Sequence, residues 1–168
     1  GAHSIGAMRD VNLGFDAPNG WDLTNDVLDQ GYYVELVSRG DDDPVDDAPN
    51  WEFEFHSNRR LNDPDIPDRP QWTLTVQGVR MTMLHSDICL ARQIDEGVNL
   101  IDGRPTCTFK GSSACPVARD TIGHLLLYAN DRQIFLRDFR EVMTSMVENK
   151  YQRSGSCPDG EICRLQPV

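Results

Sequence analysis

The sequence predicts a mostly α-helical fold carrying a small β element. Three observations lead there. Residues 131–149 place Ile134, Phe135, Phe139, Val142, Met143 and Met146 on one face of a long helix, a stripe that faces a core. A second helical stretch, 117–129, runs directly into it. By contrast, WEFEF at 51–55 and WTLTVQG at 72–78 alternate apolar and polar residues over spans too short for a helix, and so read as strands.

The remaining elements follow in order. Residues 1–8 read as the end of a helix, and 9–27 as a loop broken by Gly14, Pro18 and Gly20. LDQGYYVELV at 28–37 reads as a helix in spite of its glycine. The acidic run RGDDDPVDDAPN at 39–50 is a solvated loop, with weak cation binding as the alternative. RLNDPDIPDRP, between the strands, holds too much proline for regular structure. A helix is expected from Ser86 to about Ile94, then a loop holding two cysteines, then the two long helices. From Arg153 the tail is a loop, stapled through Cys157 or Cys163. This divides the chain into a helical (half-)domain over 1–152, with a long insertion at about 39–80, and a tail over 153–168.

The chain has 168 residues and 39% hydrophobic content, enough for one domain with a core. Its formal net charge of −11 would be repelled by phosphates, which argues against nucleic acid as a partner. No run of about eighteen apolar residues is present, so no membrane span is expected. Cysteines stand at 89, 107, 115, 157 and 163, four of them in loop-like sequence. No pair has the close spacing of a zinc knuckle. Disulfides, and with them a secreted or otherwise oxidising compartment, are favoured over free thiols. An odd total leaves one thiol unpaired or bonded to another chain, and Cys89 can simply be a buried apolar residue.

Four histidines are present, at 3, 56, 85 and 124. His3 is set apart by small neighbours, Ala2 and Gly6, which leave room for a flat ligand to approach. Asp87, opening a helix in MLHSDICLARQ, is a carboxylate that can reach a histidine ring. An iron-ligating imidazole needs such an acceptor on its other nitrogen, which holds the tautomer and raises ligand basicity. Spacing alone does not select that pair.

GAHSIG resembles the proximal-histidine signature of the plant, fungal and bacterial haem peroxidases. MLHSDICLAR is similar to the segment whose aspartate hydrogen-bonds that histidine. LYANDRQIFLRDFREVMTSM resembles the family's last long helix, and WDLTNDVLDQGYYVEL the segment after the histidine. The pieces occur in the family's order and cover most of the chain. The resemblance implies the proximal helical half of the haem peroxidase fold, with haem b ligated by His3 and Asp87 as the ligand's partner. Trp21 falls where the cytochrome c and ascorbate peroxidases carry a proximal tryptophan. There it can share a hydrogen bond with Asp87 and be oxidised to a radical; the ordinary alternative is a core aromatic with its N–H satisfied. Asp10 is implied to lie near a haem propionate. Arg9 stands where manganese-oxidising relatives have an aspartate, so no manganese site is expected.

Asp22, Thr24, Val27 and Asp29 offer two carboxylates, a hydroxyl and backbone carbonyls, a hard-oxygen set suited to Ca²⁺. Read from the residues alone, Asp22 and Asp29 are better taken as helix caps and surface charge. The resemblance implies that Ser4, Asp22, Thr24, Val27 and Asp29 form the proximal calcium site of the secreted enzymes. The distal histidine and arginine that act on peroxide belong to an N-terminal half, absent from this sequence. The expected function is therefore a haem-dependent peroxidase that reduces H₂O₂ and oxidises a small-molecule or protein donor by one electron. The distal half would be a separate chain or a missing segment. The alternative is a catalytically inactive, peroxidase-derived structural subunit of a larger assembly.

Overall fold

The computed structural model describes residues 2–7, 19–37, 50–56, 68–94, 104–148, 151–153 and 165–167. A single 3-10 turn, Ala2–Ser4, opens the described chain, where the sequence suggests a longer helix end. Helix α1 spans Gly31–Val37 and buries Tyr32, Tyr33, Glu35 and Leu36. Strands β1 (Glu52–His56), β2 (Arg69–Val76) and β3 (Val79–Leu84) follow. After them come α2 (His85–Ile88), α3 (Ile122–Asn130) and α4 (Arg132–Glu148), then β4 (Tyr151–Arg153) and β5 (Leu165–Pro167).

The expectation of a mostly α fold is corrected. Among the described residues four α-helices stand beside a three-stranded antiparallel sheet of order β1-β2-β3, with a separate β4-β5 pair, which makes the fold mixed α/β. The sheet is part of the core rather than an appendage to it. Trp51, Trp72, Leu74, Met81 and Met83 are all essentially inaccessible, and they merge with Tyr32, Leu36, Ile88 and Phe135 into one cluster. In the β2–β3 pair Trp72 lies opposite Met83 and Leu74 opposite Met81. The Gln77-Gly78 turn joining them holds both residues at positive φ, 51° and 79°, the backbone that a tight two-residue hairpin needs.

Helix boundaries also move. Helix α1 starts at Gly31 rather than 28, and the helix expected over 86–94 ends at Ile88. Beyond it, Gln93 N–H donates to the Pro116 carbonyl and Ala118 N–H to the Ala91 carbonyl, so tertiary bonding replaces the helical ladder. Val117, expected inside a helix, bridges Arg92 instead. Along α4 only Phe135 is buried; Ile134, Phe139 and Met143 are half-buried, and Val142 and Met146 are exposed. The apolar stripe is there, but only its first half has a covering.

Cys107 and Cys115 form a disulfide, with Cα atoms 5.0 Å apart. Cys89 is half-buried, whereas Cys157 and Cys163 lie outside the described residues. The bond closes a short loop, with a sequence separation of 8. A loop of that size confers about 2 kcal/mol through the lost freedom of the unfolded chain. The Cys107→Ala/Cys115→Ala double variant should lose about that much in urea unfolding. No helix among the described residues is long and apolar enough to cross a membrane.

Candidate functional site

The site grows from the start of α2. Asp87, third residue of that helix, turns its Oδ2 back to accept the Leu84 N–H at 2.8 Å, half of a capping box. A four-residue helix has little stability of its own. Here β3 feeds it directly from the sheet, and the buried Ile88 anchors it to the core. The cap therefore does two things: it starts the helix and aims the other carboxylate oxygen inward.

That oxygen, Oδ1, lies 2.8 Å from His3 Nδ1. The Asp87 side chain is 7% exposed and that of His3 35%, so the carboxylate is sequestered while the imidazole keeps an open side. An ionised carboxylate only accepts, so Nδ1 is the donor of this bond, and in the neutral ring the lone pair lies on Nε2. Among the described residues Nε2 has no hydrogen-bond partner. Chemically this is an imidazole oriented by a buried carboxylate, the arrangement that suits a metal-ligating histidine.

Trp21 stacks on the His3 ring, with centroids 4.2 Å apart and planes inclined by 10°. Its indole N–H does not reach Asp87: Nε1 is buried with no partner among the described residues. Trp21 is a core aromatic, as the ordinary alternative has it, but among the described residues its N–H has no partner, neither the aspartate nor any other. The third donor to Asp87 is Tyr32, whose hydroxyl lies 2.8 Å from Oδ1. Burial, followed by the adjacent Asp87 charge, pushes the Tyr32 phenol far above its ordinary range, so it remains a donor at any working pH.

A second cluster lies beside this pair. Asp22 is 1% exposed; its Oδ1 accepts the Thr24 N–H at 2.9 Å, while Oδ2 is buried and without a partner among the described residues. Thr24 Oγ1 donates to Asp29 at 3.1 Å, and Asp29 Oδ1 accepts the Gly31 N–H at 2.7 Å. These groups converge on Gly31. A Cβ there would lie 2.8 Å from Thr24 Oγ1, 2.9 Å from Asp29 Oδ1 and 3.2 Å from Asp22 Oδ2. Burial pushes the Asp22 carboxyl up to about 6, and the charges of Asp29 and Glu35 add to it. Backbone N–H groups of Thr24 and Tyr32 offset part of that rise. Two carboxylates and a hydroxyl thus converge on one point, Asp22 buried, Asp29 half-buried and Thr24 exposed.

The other expected ligands are placed less tightly. Ser4 is fully buried, on the 3-10 turn that packs against α1, and Val27 is exposed on the loop, its N–H bonded to the Thr24 carbonyl. Among the described residues no site gathers three or more His, Cys, Asp or Glu side chains at metal-holding spacing. Hard cations also take hydroxyl and carbonyl oxygen, so two carboxylates do not exclude one. Asp10 lies outside the described residues.

The two clusters are lashed together through the backbone. Gly6 N–H donates to the Asn25 carbonyl and Thr82 N–H to that of Gly20, while Asn19 Nδ2 donates to the Arg80 carbonyl. Gly20 has φ +77°, and any Cβ there would sit 2.4 Å from the Gly6 carbonyl oxygen, so only glycine lets the histidine segment approach this loop. Of the residues that complete the site, sequence reasoning missed Tyr32 and Gly31. Tyr32 carries no signal, its partner being 55 residues away. Gly31 did carry one: a glycine in a helix costs about 1 kcal/mol and calls for a reason.

No protein-family model, curated protein or solved structure matches this chain.

Proposed function

We propose that this chain is the proximal half of a haem peroxidase, with His3 as axial ligand of haem b and a calcium ion beside Gly31. The observation that carries the reading is the His3–Asp87 pair: a buried carboxylate on Nδ1 and an imidazole whose Nε2 is left open. Bound haem supplies the redox chemistry, reduction of H₂O₂ coupled to one-electron oxidation of a donor. The residues of this chain orient and electronically tune the ligand: Asp87 holds the tautomer, Trp21 packs the ring face and Tyr32 satisfies the carboxylate. Asp22, Thr24 and Asp29 hold the cation, with Ser4 and the Val27 backbone as further donors. Asp22 Oδ2, buried without a partner among the described residues, and the Gly31 cradle support that assignment. A distal half, as a separate chain or segment, supplies the groups that act on peroxide; the Cys107–Cys115 disulfide supports a secreted or other oxidising setting.

The reading is tested by titrating the protein with ferric haem and recording its absorption spectrum. The wild type should form a histidine-ligated complex that His3→Ala cannot form, and Asp87→Asn should raise the reduction potential of the iron. An His3→Ala spectrum identical to wild type removes the assignment.

The second reading, an inactive structural subunit, is favoured by the outer half of α4, where Val142, Met146 and Val147 are 57%, 65% and 58% exposed. Such a run of apolar surface suits contact within an assembly. Turnover of H₂O₂ by the haem-loaded assembly separates the two.

A further inference from the structure

The carboxylate oxygen that faces His3 is shared. Asp87 Oδ1 accepts from His3 Nδ1 at 2.8 Å and from the Tyr32 hydroxyl at 2.8 Å, while Oδ2 takes the Leu84 N–H. Two donors on one oxygen draw on the same electron density, so each weakens the other's hold. Tyr32 is fixed in this competition. It is 1% exposed, its ring packs edge-on against those of His3 and Tyr33, and its backbone belongs to α1. The indole of Trp21, though nearer the imidazole ring, makes no bond to the carboxylate.

We propose that Tyr32 is a positioning residue that sets how strongly Asp87 draws on the His3 Nδ1 proton, by sharing the carboxylate oxygen that proton is bonded to. The consequence for iron rests on the haem reading above; the effect on the imidazole does not. The sign follows from the sharing. Removing the phenol hydroxyl leaves Oδ1 more basic, strengthens its bond to Nδ1–H and makes the imidazole a stronger donor. Removing the carboxylate charge does the opposite. Tyr32→Phe and Asp87→Asn should therefore act in opposite directions, which a role confined to packing would not produce.

The metal-free protein, labelled with ¹⁵N-histidine, gives the first readout. The Nδ1 proton resonance of His3 should move downfield in Tyr32→Phe and upfield in Asp87→Asn, with Tyr33→Phe leaving it in place as a control for aromatic packing. Incorporating a fluorotyrosine at position 32 keeps the shape and strengthens the donor, and should move the resonance upfield. With haem bound, the ferric-to-ferrous equilibrium of Tyr32→Phe should shift toward ferric by roughly threefold to tenfold. That is small beside the 10–100-fold loss of metal affinity or activity that follows removal of an outer-shell partner, because Tyr32 acts one bond further out. Resonances that move the same way in both variants, or as far in Tyr33→Phe as in Tyr32→Phe, overturn the proposal. A wild type that binds no haem through His3 overturns the proposed function and the consequence for iron, while the metal-free resonances still decide what Tyr32 does to His3.

Discussion

Replacing Asp87 by alanine is expected to lower stability by about 2–3 kcal/mol, whether or not any cofactor is bound. The carboxylate accepts from the Leu84 N–H, the Tyr32 hydroxyl and His3 Nδ1, and it is nearly inaccessible. Stranding a buried donor costs about 1–3 kcal/mol, and here the Tyr32 hydroxyl is the one stranded. Loss of the helix cap adds about 1 kcal/mol, because α2 has only four residues with which to compensate. Relief from burying a charge returns part of this, so the total stays below the simple sum. Asp87→Asn keeps the shape and one acceptor oxygen, but turns an N–H toward a donor; about half the alanine effect is expected. Urea unfolding followed by tryptophan fluorescence measures both. An alanine variant within 1 kcal/mol of the parent would show that the three contacts are not coupled to folding.

The second large effect concerns the Gly31 cradle. With Ca²⁺ at 100 to 1,000 times its dissociation constant, a ligand held only by the native state stabilises it by about 2.7–4.1 kcal/mol. For a chain of this size that is roughly 5–16 °C in melting temperature. Gly31→Ala should abolish the response, since the added methyl occupies the point where Thr24, Asp29 and Asp22 converge. In chelator the same variant should fold nearly as well as wild type, because alanine is a better helix former and the three oxygens can turn aside.

The pH dependence has a definite sign. The Asp22 carboxyl, at about 6, lies above its unfolded value of 3.8. In the metal-free protein this group favours folding fully below pH 4, and its contribution is lost as pH rises through 6. A cation restores that contribution by neutralising the carboxylate, but at pH 5 it must displace a proton. The gain in melting temperature should accordingly be larger at pH 7.5 than at pH 5. Identical melting in calcium and in chelator at pH 7.5 would refute cation binding here.

Much of this molecule is written locally. Helix α4 follows from its apolar stripe and lies within a residue of its expected ends, whereas α3 starts at Ile122 rather than 117. Strands β1 and β2 follow from alternation in WEFEF and WTLTVQG, shifted by a few residues. Strand β3 was not legible because Met81 and Met83, which face Leu74 and Trp72, are unbranched and carry no strand preference of their own. That unread strand, together with the burial of Trp51 and Trp72, is why a mostly α expectation gave way to a mixed fold. The α4 stripe was legible as a periodicity, yet periodicity does not say how far along the helix a neighbour extends.

For the site, the sequence by itself determined the chemistry on offer: an imidazole in a small-residue setting, a carboxylate at a helix start, and an oxygen-rich loop leading to a glycine. Resemblance to a family suggested joining His3 to Asp87, 84 residues apart. Only the tertiary structure decided which groups share one oxygen. The Tyr32 hydroxyl reaches Asp87 and the Trp21 indole does not, because α1 is packed beneath the pair while Trp21 lies flat on the imidazole. Hydrogen-bond partnership depends on distance and angle between side chains brought together by packing, and no local propensity in the chain encodes those.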